Sequence, residues 1–259
     1  MARNIIFYFT GTGNSLKVAK DIAKIIGDCD VISMPFAYAS KGDYQFSADV
    51  ERIGFVYPVY GGPPNFVKKF VSEFPFPEIN NIYYFAVVTC GHFKWDSIAL
   101  LKDRLSVRGI ALNAGFVVKM VANAISLYRI SKKAENILRK SQVTIDSIAE
   151  KIKEKEVNEI RKTDPLKKFH ESFSKSMPSM DKNFIVSDSC IGCTICAKVC
   201  PVKNIEFNSV KPEFKHNCEQ CLACLHHCSQ KAINYGHITQ NRKRYINPCV
   251  TVSEIIKGN

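Results

Sequence analysis

The sequence predicts an α/β protein, a doubly wound parallel sheet followed by a smaller α+β unit. Three observations carry this. Apolar runs of strand length alternate with helix-period segments over roughly residues 1–155. A glycine- and hydroxyl-rich loop, Thr10-Gly11-Thr12-Gly13-Asn14-Ser15, joins the first such strand to the first such helix. Eight of the eleven cysteines fall between positions 190 and 228, in two copies of C-x2-C-x2-C-x3-C.

Asn4-Ile5-Ile6-Phe7-Tyr8-Phe9 is continuously apolar, as a central strand covered on both faces must be. Leu16, Val18, Ala19, Ile22, Ala23 and Ile26 then recur at helical spacing up to Gly27. A loop placed so presents backbone N–H groups and the positive helix end to an anion, so a phosphate site is expected at Thr10–Ser15. A dinucleotide loop would need a third glycine where Leu16 stands, and a P-loop would need Gly-Lys-Ser/Thr; both are missing.

Glu51–Tyr57 reads as another buried strand, ending in Pro58-Val59-Tyr60-Gly61-Gly62 before Phe66, Val67, Phe70 and Val71 resume helical spacing. Asn81–Val88 is the next strand, running into Thr89-Cys90-Gly91-His92-Phe93-Lys94-Trp95 and a helix marked by Ile98, Leu101 and Leu105. In such sheets ligands bind at the carboxyl ends of strands, where these loops emerge. Ala114–Met120 is the last strand, and Lys132–Glu156 an amphipathic helix with a charged outer face. Residues 157–183 read as a linker with local helix, whose basic run from Arg161 could instead serve as a docking patch. Cys90 and Cys249 read as packing thiols outside the cysteine runs, and His226 and His227 as surface residues.

The cysteine spacing is that of 4Fe-4S ligation, three thiolates on one tight loop and a fourth lent elsewhere. Structural zinc would separate two C-x2-C pairs by a longer loop. A disulfide framework needs an oxidising compartment, and the first residues show no secretory leader, so a cytoplasmic location is expected. Cys200–Phe207 also aligns with Cys228–Tyr235 at a period of 28, with Ser229 where the first copy has Pro201.

Thr10-x-Thr12-Gly13-x-Ser15 after a first strand resembles the FMN phosphate loop of the flavodoxins, and the likeness covers roughly residues 1–155 of a first domain taken as 1–156. Residues 184–240 or so resemble the bacterial two-cluster ferredoxins, within a second domain of 184–259 that ends in a short basic tail. Together they resemble a flavodoxin-ferredoxin fusion, which implies a flavodoxin-like doubly wound parallel sheet plus a small α+β two-cluster ferredoxin domain. The resemblance implies FMN held at Thr10–Ser15, at Pro58, Val59, Tyr60, Gly61 and Gly62, and at Thr89, Cys90, Gly91, His92 and Trp95, with Tyr60 and Trp95 stacking on the ring. It implies one 4Fe-4S cluster on Cys190, Cys193, Cys196 and Cys228, and a second on Cys218, Cys221, Cys224 and Cys200.

The formal net charge of +12 falls to roughly +6 once two clusters and a flavin phosphate are counted, which favours acidic redox proteins as partners over nucleic acid. The function expected is low-potential electron relay between FMN and two clusters in anaerobic metabolism, rather than an enzyme with its own substrate. The alternatives are a flavin-dependent reductase with His92 as proton donor and a non-redox metal-binding module.

Overall fold

The computed structural model describes residues 2–79, 81–161, 167–208 and 210–259, with side chains omitted at 167–169. Most of the basic run beginning at Arg161 therefore lies outside the described residues. Five strands, β1 (Asn4–Tyr8), β2 (Cys29–Ser33), β3 (Arg52–Pro58), β4 (Tyr83–Cys90) and β5 (Leu112–Lys119), pair in parallel in the order β2-β1-β3-β4-β5. That is the flavodoxin-like doubly wound order, with its switch point between β1 and β3. β1 and β4 are buried at every position, as continuously apolar strands between two helical layers must be. β5 alternates buried and partly exposed residues, as suits an edge. Gly54 faces Phe85 across β3 and β4, and a Cβ there would lie 2.2 Å from the ring, so the glycine makes room for it.

Helices α1 (Asn14–Ile26) and α5 (Ala134–Lys153) cover one face, packing Leu16, Ile22, Ile145 and Ile148 on Ile6, Val56 and Phe85. The other face is covered by α2 (Met34–Ala39), α3 (Asn65–Glu73) and α4 (Ser97–Ser106), around a run of aromatic rings that includes Phe7, Phe55, Phe70 and Phe74. The expected strand 81–88 runs two residues later, and the expected helix 132–156 is shorter at both ends. α2 has no counterpart in the sequence reading, because six residues are too few to show a helical period.

The linker contributes α6 (Lys167–Ser176) and a 3-10 turn over Met177–Asn183. The second unit then repeats itself. β6 (Phe184–Val186), α7 (Ile195–Lys198) and β7 (Ile205–Phe207) are followed 28 residues later by β8 (Pro212–Phe214), α8 (Ala223–His226) and β9 (Ile233–Tyr235). β6 pairs with β9 and β7 with β8, both antiparallel, so the copies interlock. The repeat reaches the backbone: left-handed φ values recur at Gly192 and Gln220, Thr194 and Leu222, and Lys203 and Lys231. The last pair follows Pro201 and Ser229 respectively, so both turns adopt the same conformation with or without proline.

The tail returns to the first unit through α9 (Val252–Lys257), capped by Thr251 and Glu254 in a capping box. Lys20 of α1 reaches Glu254 at 2.6 Å, and Val199, Cys221, Ala223, Val250 and Ile255 join the core cluster of Ile6 and Leu16. The core under α1 and α5 therefore continues into the second unit, which keeps a further cluster of its own around Leu225 and Ile233. Among the described residues, no helix is long and apolar enough to cross a membrane.

Candidate functional site

The cysteines ring two cavities. One is lined by Cys190, Cys193, Cys196 and Cys228 with Ile191, Ile195, Phe207 and Ile233; the other by Cys200, Cys218, Cys221 and Cys224 with Phe184, Val202, Phe214 and Leu222. In each, three thiols come from one loop and the fourth from the other copy, because β6–β9 and β7–β8 pairing folds each fourth cysteine across. Among the described residues no three His, Cys, Asp or Glu side chains converge as a single ion would need. The thiols stand around a volume instead, which suits a cluster core better than zinc.

Amides point at the sulfurs. Asn204 N–H donates to Cys200 Sγ at 3.2 Å and Ala232 N–H to Cys228 Sγ at 3.3 Å, again 28 residues apart, while Gln220 N–H donates to Cys218 Sγ at 3.2 Å. Such bonds favour thiolate over thiol. Burial works the other way: it pushes the Cys196 and Cys218 thiols up to about 12, and holds Cys221 and Cys224 well above their ordinary value too. Apolar burial of four thiols together is tolerable when a metal core displaces their protons. The quartets differ in exposure. Cys193 and Ile191 are exposed at the first cavity, whereas Cys200, Cys221 and Cys224 are buried at the second.

The Thr10–Ser15 loop lies beneath the second quartet. All six of its residues are buried. A Cβ on Gly11 would come within 2.8 Å of the Cys221 carbonyl oxygen and 3.0 Å of Cys221 Cβ, so glycine permits the cysteine loop to sit there. Thr10 Oγ1 accepts the Gly13 N–H, Ser15 and Thr89 hydroxyls meet at 2.9 Å, and Asn123 Nδ2 donates to Thr12 Oγ1 at 2.7 Å. The tail adds a lid: Asn247 N–H donates to the Thr12 carbonyl at 2.8 Å, and Tyr245 Oη and Asn247 Nδ2 both donate to Asn14 Oδ1. Among the described residues, the buried N–H groups of Thr12, Asn14 and Ser15 find no protein acceptor. A cradle of unpartnered amides at a helix start fits a phosphate.

The other two loops are covered as well. His170 Nδ1 of α6 bonds the Gly61 carbonyl, and a Cβ on Gly61, whose φ is 68°, would meet the Phe173 ring at 2.9 Å. The His170 ring stands edge-on to Trp95 at 4.9 Å. His170 thus touches both the Gly61 loop and Trp95, and Phe173 stands against Gly61. The Tyr60 ring packs against both core clusters, one of which contains Cys221. His92 is exposed at the rim, against Tyr128, and Cys90 is buried at the end of β4. Thr10–Ser15 carries the donors a phosphate would need, but Cys221, Val250 and Asn247 pack over that loop as His170 and Phe173 pack over Gly61.

Several residues at this junction were not singled out by sequence, or were placed wrongly. Glu219, between Cys218 and Cys221, accepts the N–H groups of Asn65 and Phe66 at the start of α3, and burial pushes its carboxyl up to about 7. His226 and His227, expected at the surface, are buried. His226 donates to the Asn123 carbonyl and accepts the Tyr245 N–H, and His227 Nε2 meets the Gly11 carbonyl at 3.2 Å. Burial pushes His226 down to about 4, so the ring is neutral. Their adjacency to Cys228 carries no information about the surface waiting opposite.

Residues 184–206 match the family described as 4Fe-4S binding domain. No curated protein matches the sequence. Among solved structures, a flavoprotein from Bacteroides uniformis ATCC 8492 is 16% identical, covering 46% of this chain and 90% of its own, with a TM-score of 0.35. The Streptococcus pneumonia TIGR4 flavodoxin is 18% identical, covering 57% of this chain and 97% of its own, with a TM-score of 0.36. The rubredoxin oxygen:oxidoreductase of the anaerobe Desulfovibrio gigas is 18% identical over 58% of this chain and 36% of its own, with a TM-score of 0.36. At such scores the fold rests on the strand order rather than on these likenesses. The chain joins a flavodoxin-like sheet to a 4Fe-4S binding domain, an architecture that supports electron transfer.

Proposed function

We propose that the chain is an electron-transfer protein with two 4Fe-4S clusters, one on Cys190, Cys193, Cys196 and Cys228 and one on Cys200, Cys218, Cys221 and Cys224, with FMN as the partner of the Thr10–Ser15 cradle. The observation that carries the reading is the pair of cavities, each lined by four thiols drawn from both copies of the repeat. Each cluster would supply one-electron exchange, and the flavin both one- and two-electron exchange. The chain's own residues set the geometry. Exposed Cys193 and Ile191 present the first quartet to a docking protein, while Cys221 brings the second against Gly11, at the edge of the sheet. The basic balance of the chain favours a partner with an acidic surface. FMN would need α6 to withdraw from Gly61 and Trp95, and the Cys221 loop and the tail at Asn247 and Val250 to move off Thr10–Ser15.

Anaerobic iron and acid-labile sulfide analysis tests the cluster reading. It expects about eight of each per chain, and a value below about six irons overturns it. Reconstitution with FMN, followed by flavin fluorescence, tests the second part. Absence of any bound flavin removes FMN and leaves a two-cluster carrier.

A further inference from the structure

We propose that Asp181 is the positioning residue of the inner quartet, Cys200, Cys218, Cys221 and Cys224. Its buried carboxylate clasps the two chain segments that bring Cys200 and Cys218 to one cavity, and its charge holds down the reduction potential of a cluster there. The proposal rests on the two-cluster reading above.

Asp181 lies in the 3-10 turn Met177–Asn183, outside both cysteine runs, and its side chain is fully buried. Among the described residues, three N–H groups reach it. Asn204 Nδ2–H and the His216 backbone N–H both donate to Oδ2, at 2.9 and 3.0 Å, and His216 Nδ1–H donates to Oδ1 at 2.7 Å. Each of these residues leads to a cysteine. Asn204 lines the inner cavity, and its backbone N–H bonds Cys200 Sγ at 3.2 Å. The Asn204 side-chain oxygen accepts the Asn217 N–H at 2.6 Å, and the next N–H, that of Cys218, donates to the Pro178 carbonyl of the same turn at 3.2 Å. One carboxylate therefore joins the segment after Cys200 to the segment before Cys218.

The outer quartet, Cys190, Cys193, Cys196 and Cys228, is built without this clasp. At the 28-residue period Ala232 stands for Asn204 and Asp188 for His216, and the Cys190 N–H bonds the Ser187 carbonyl of its own loop at 3.2 Å. The linker turn, not the repeat, supplies the difference. His216 also sits at a left-handed φ of 57°, a conformation costly for a residue with a Cβ, and two bonds to one carboxylate offset that cost. Burying a carboxylate is itself costly unless donors surround it, and an apolar residue would fill the turn without that cost. What Asp181 adds is a fixed geometry for two cysteines from different copies, and a negative charge one side chain away from the cavity. Such a charge disfavours the reduced, more negative state of a cluster.

The test is Asp181→Asn and Asp181→Ala in the full, cluster-loaded chain, read by anaerobic iron and sulfide analysis and by redox titration. Asparagine keeps one oxygen for Asn204 and the His216 N–H and turns its amide toward His216 Nδ1, so the geometry survives and the charge does not. Full iron is expected, with one midpoint potential shifted to a more positive value and the other unmoved. Alanine removes the clasp, and iron is expected to fall from about eight to about four per chain as the inner cluster alone is lost. Two unmoved potentials in Asp181→Asn, or full iron in Asp181→Ala, overturn the proposal. Equal movement of both potentials overturns it too, because the bonds of Asp181 lead to the inner quartet. Should Asp181→Ala fail to fold, Asn204→Ala, which copies the residue of the other half, takes its place with the same expected loss of iron and the same overturning result. An unmodified chain with fewer than about six irons fails the two-cluster reading instead, on a measurement made before either variant is compared.

Discussion

The Glu219 carboxylate accepts the Phe66 N–H at 2.7 Å, so a residue inside a cysteine loop caps a helix on the sheet. Its other oxygen takes the Asn65 N–H at 2.9 Å. The start of α3 thus finds its acceptor in the other unit, and the two halves are joined by a helix cap as well as by apolar contact.

Replacing that carboxylate should loosen the junction. Glu219→Ala leaves two amides without an acceptor, and a loss of about 1–3 kcal/mol in the unfolding free energy of the cluster-loaded chain is expected. Glu219→Gln, which keeps one acceptor oxygen, should lose less. Equal stability of the three proteins by denaturant titration would deny the cap any role.

Gly11→Ala places a methyl 2.8 Å from the Cys221 carbonyl oxygen. Both partners are backbone or nearly so, and neither yields cheaply. A destabilisation of about 1–3 kcal/mol is expected, with a changed spectrum of the inner cluster only. Alanine at Gly42, which meets nothing within 4 Å, is the control.

The α6 contacts predict flavin affinity. If His170 and Phe173 fill the ring space, the double change to alanine should tighten FMN binding by about tenfold or more, because the competent state becomes more populated. Fluorescence quenching on titration reads this directly. Unchanged or weaker binding would show that α6 is not the obstacle.

Arg244 donates through Nη2 to the Ile233 carbonyl at 3.0 Å and to Asn234 Oδ1 at 2.8 Å, and Ile233 lines the outer cavity. A cation so placed favours the reduced cluster. Arg244→Gln should lower the potential of a cluster on Cys190, Cys193, Cys196 and Cys228 by on the order of tens of millivolts, read by anaerobic redox titration.

Glu254 gives a pH signature. Its hydrogen bonds from Lys20 and Thr251 hold the carboxyl down to about 2. A depressed folded value means stability is present above the ordinary carboxylate range and is lost as pH falls through about 2. The melting temperature of the native chain should therefore fall between about pH 5 and pH 2 more steeply than that of Glu254→Gln. Parallel curves would mean that the capping box of α9 contributes nothing measurable.

Whatever depends on local spacing is legible in the chain before it folds. Three cysteines at three-residue steps on one tight loop turn their sulfurs inward together, and the 28-residue period extends to the strands and short helices from Phe184 to Tyr235 and to three pairs of left-handed residues. Continuous apolar runs likewise specified buried strands, and the glycine-hydroxyl loop specified amides at a helix start. The tertiary structure decided what those amides, and the loops beside them, face. Tyr60 and Trp95 have the same sequence signature, an aromatic in a glycine-containing loop after a strand, yet one packs against both core clusters and the other against His170. Glu219 and His227 gain their partners, Phe66 and Gly11, from 153 and 216 residues away. No periodicity encodes such contacts, because they arise from stacking one finished surface on another. The cradle of Thr10–Ser15 was legible as a place for an anion; that the chain lays its own cysteine loop over it was not.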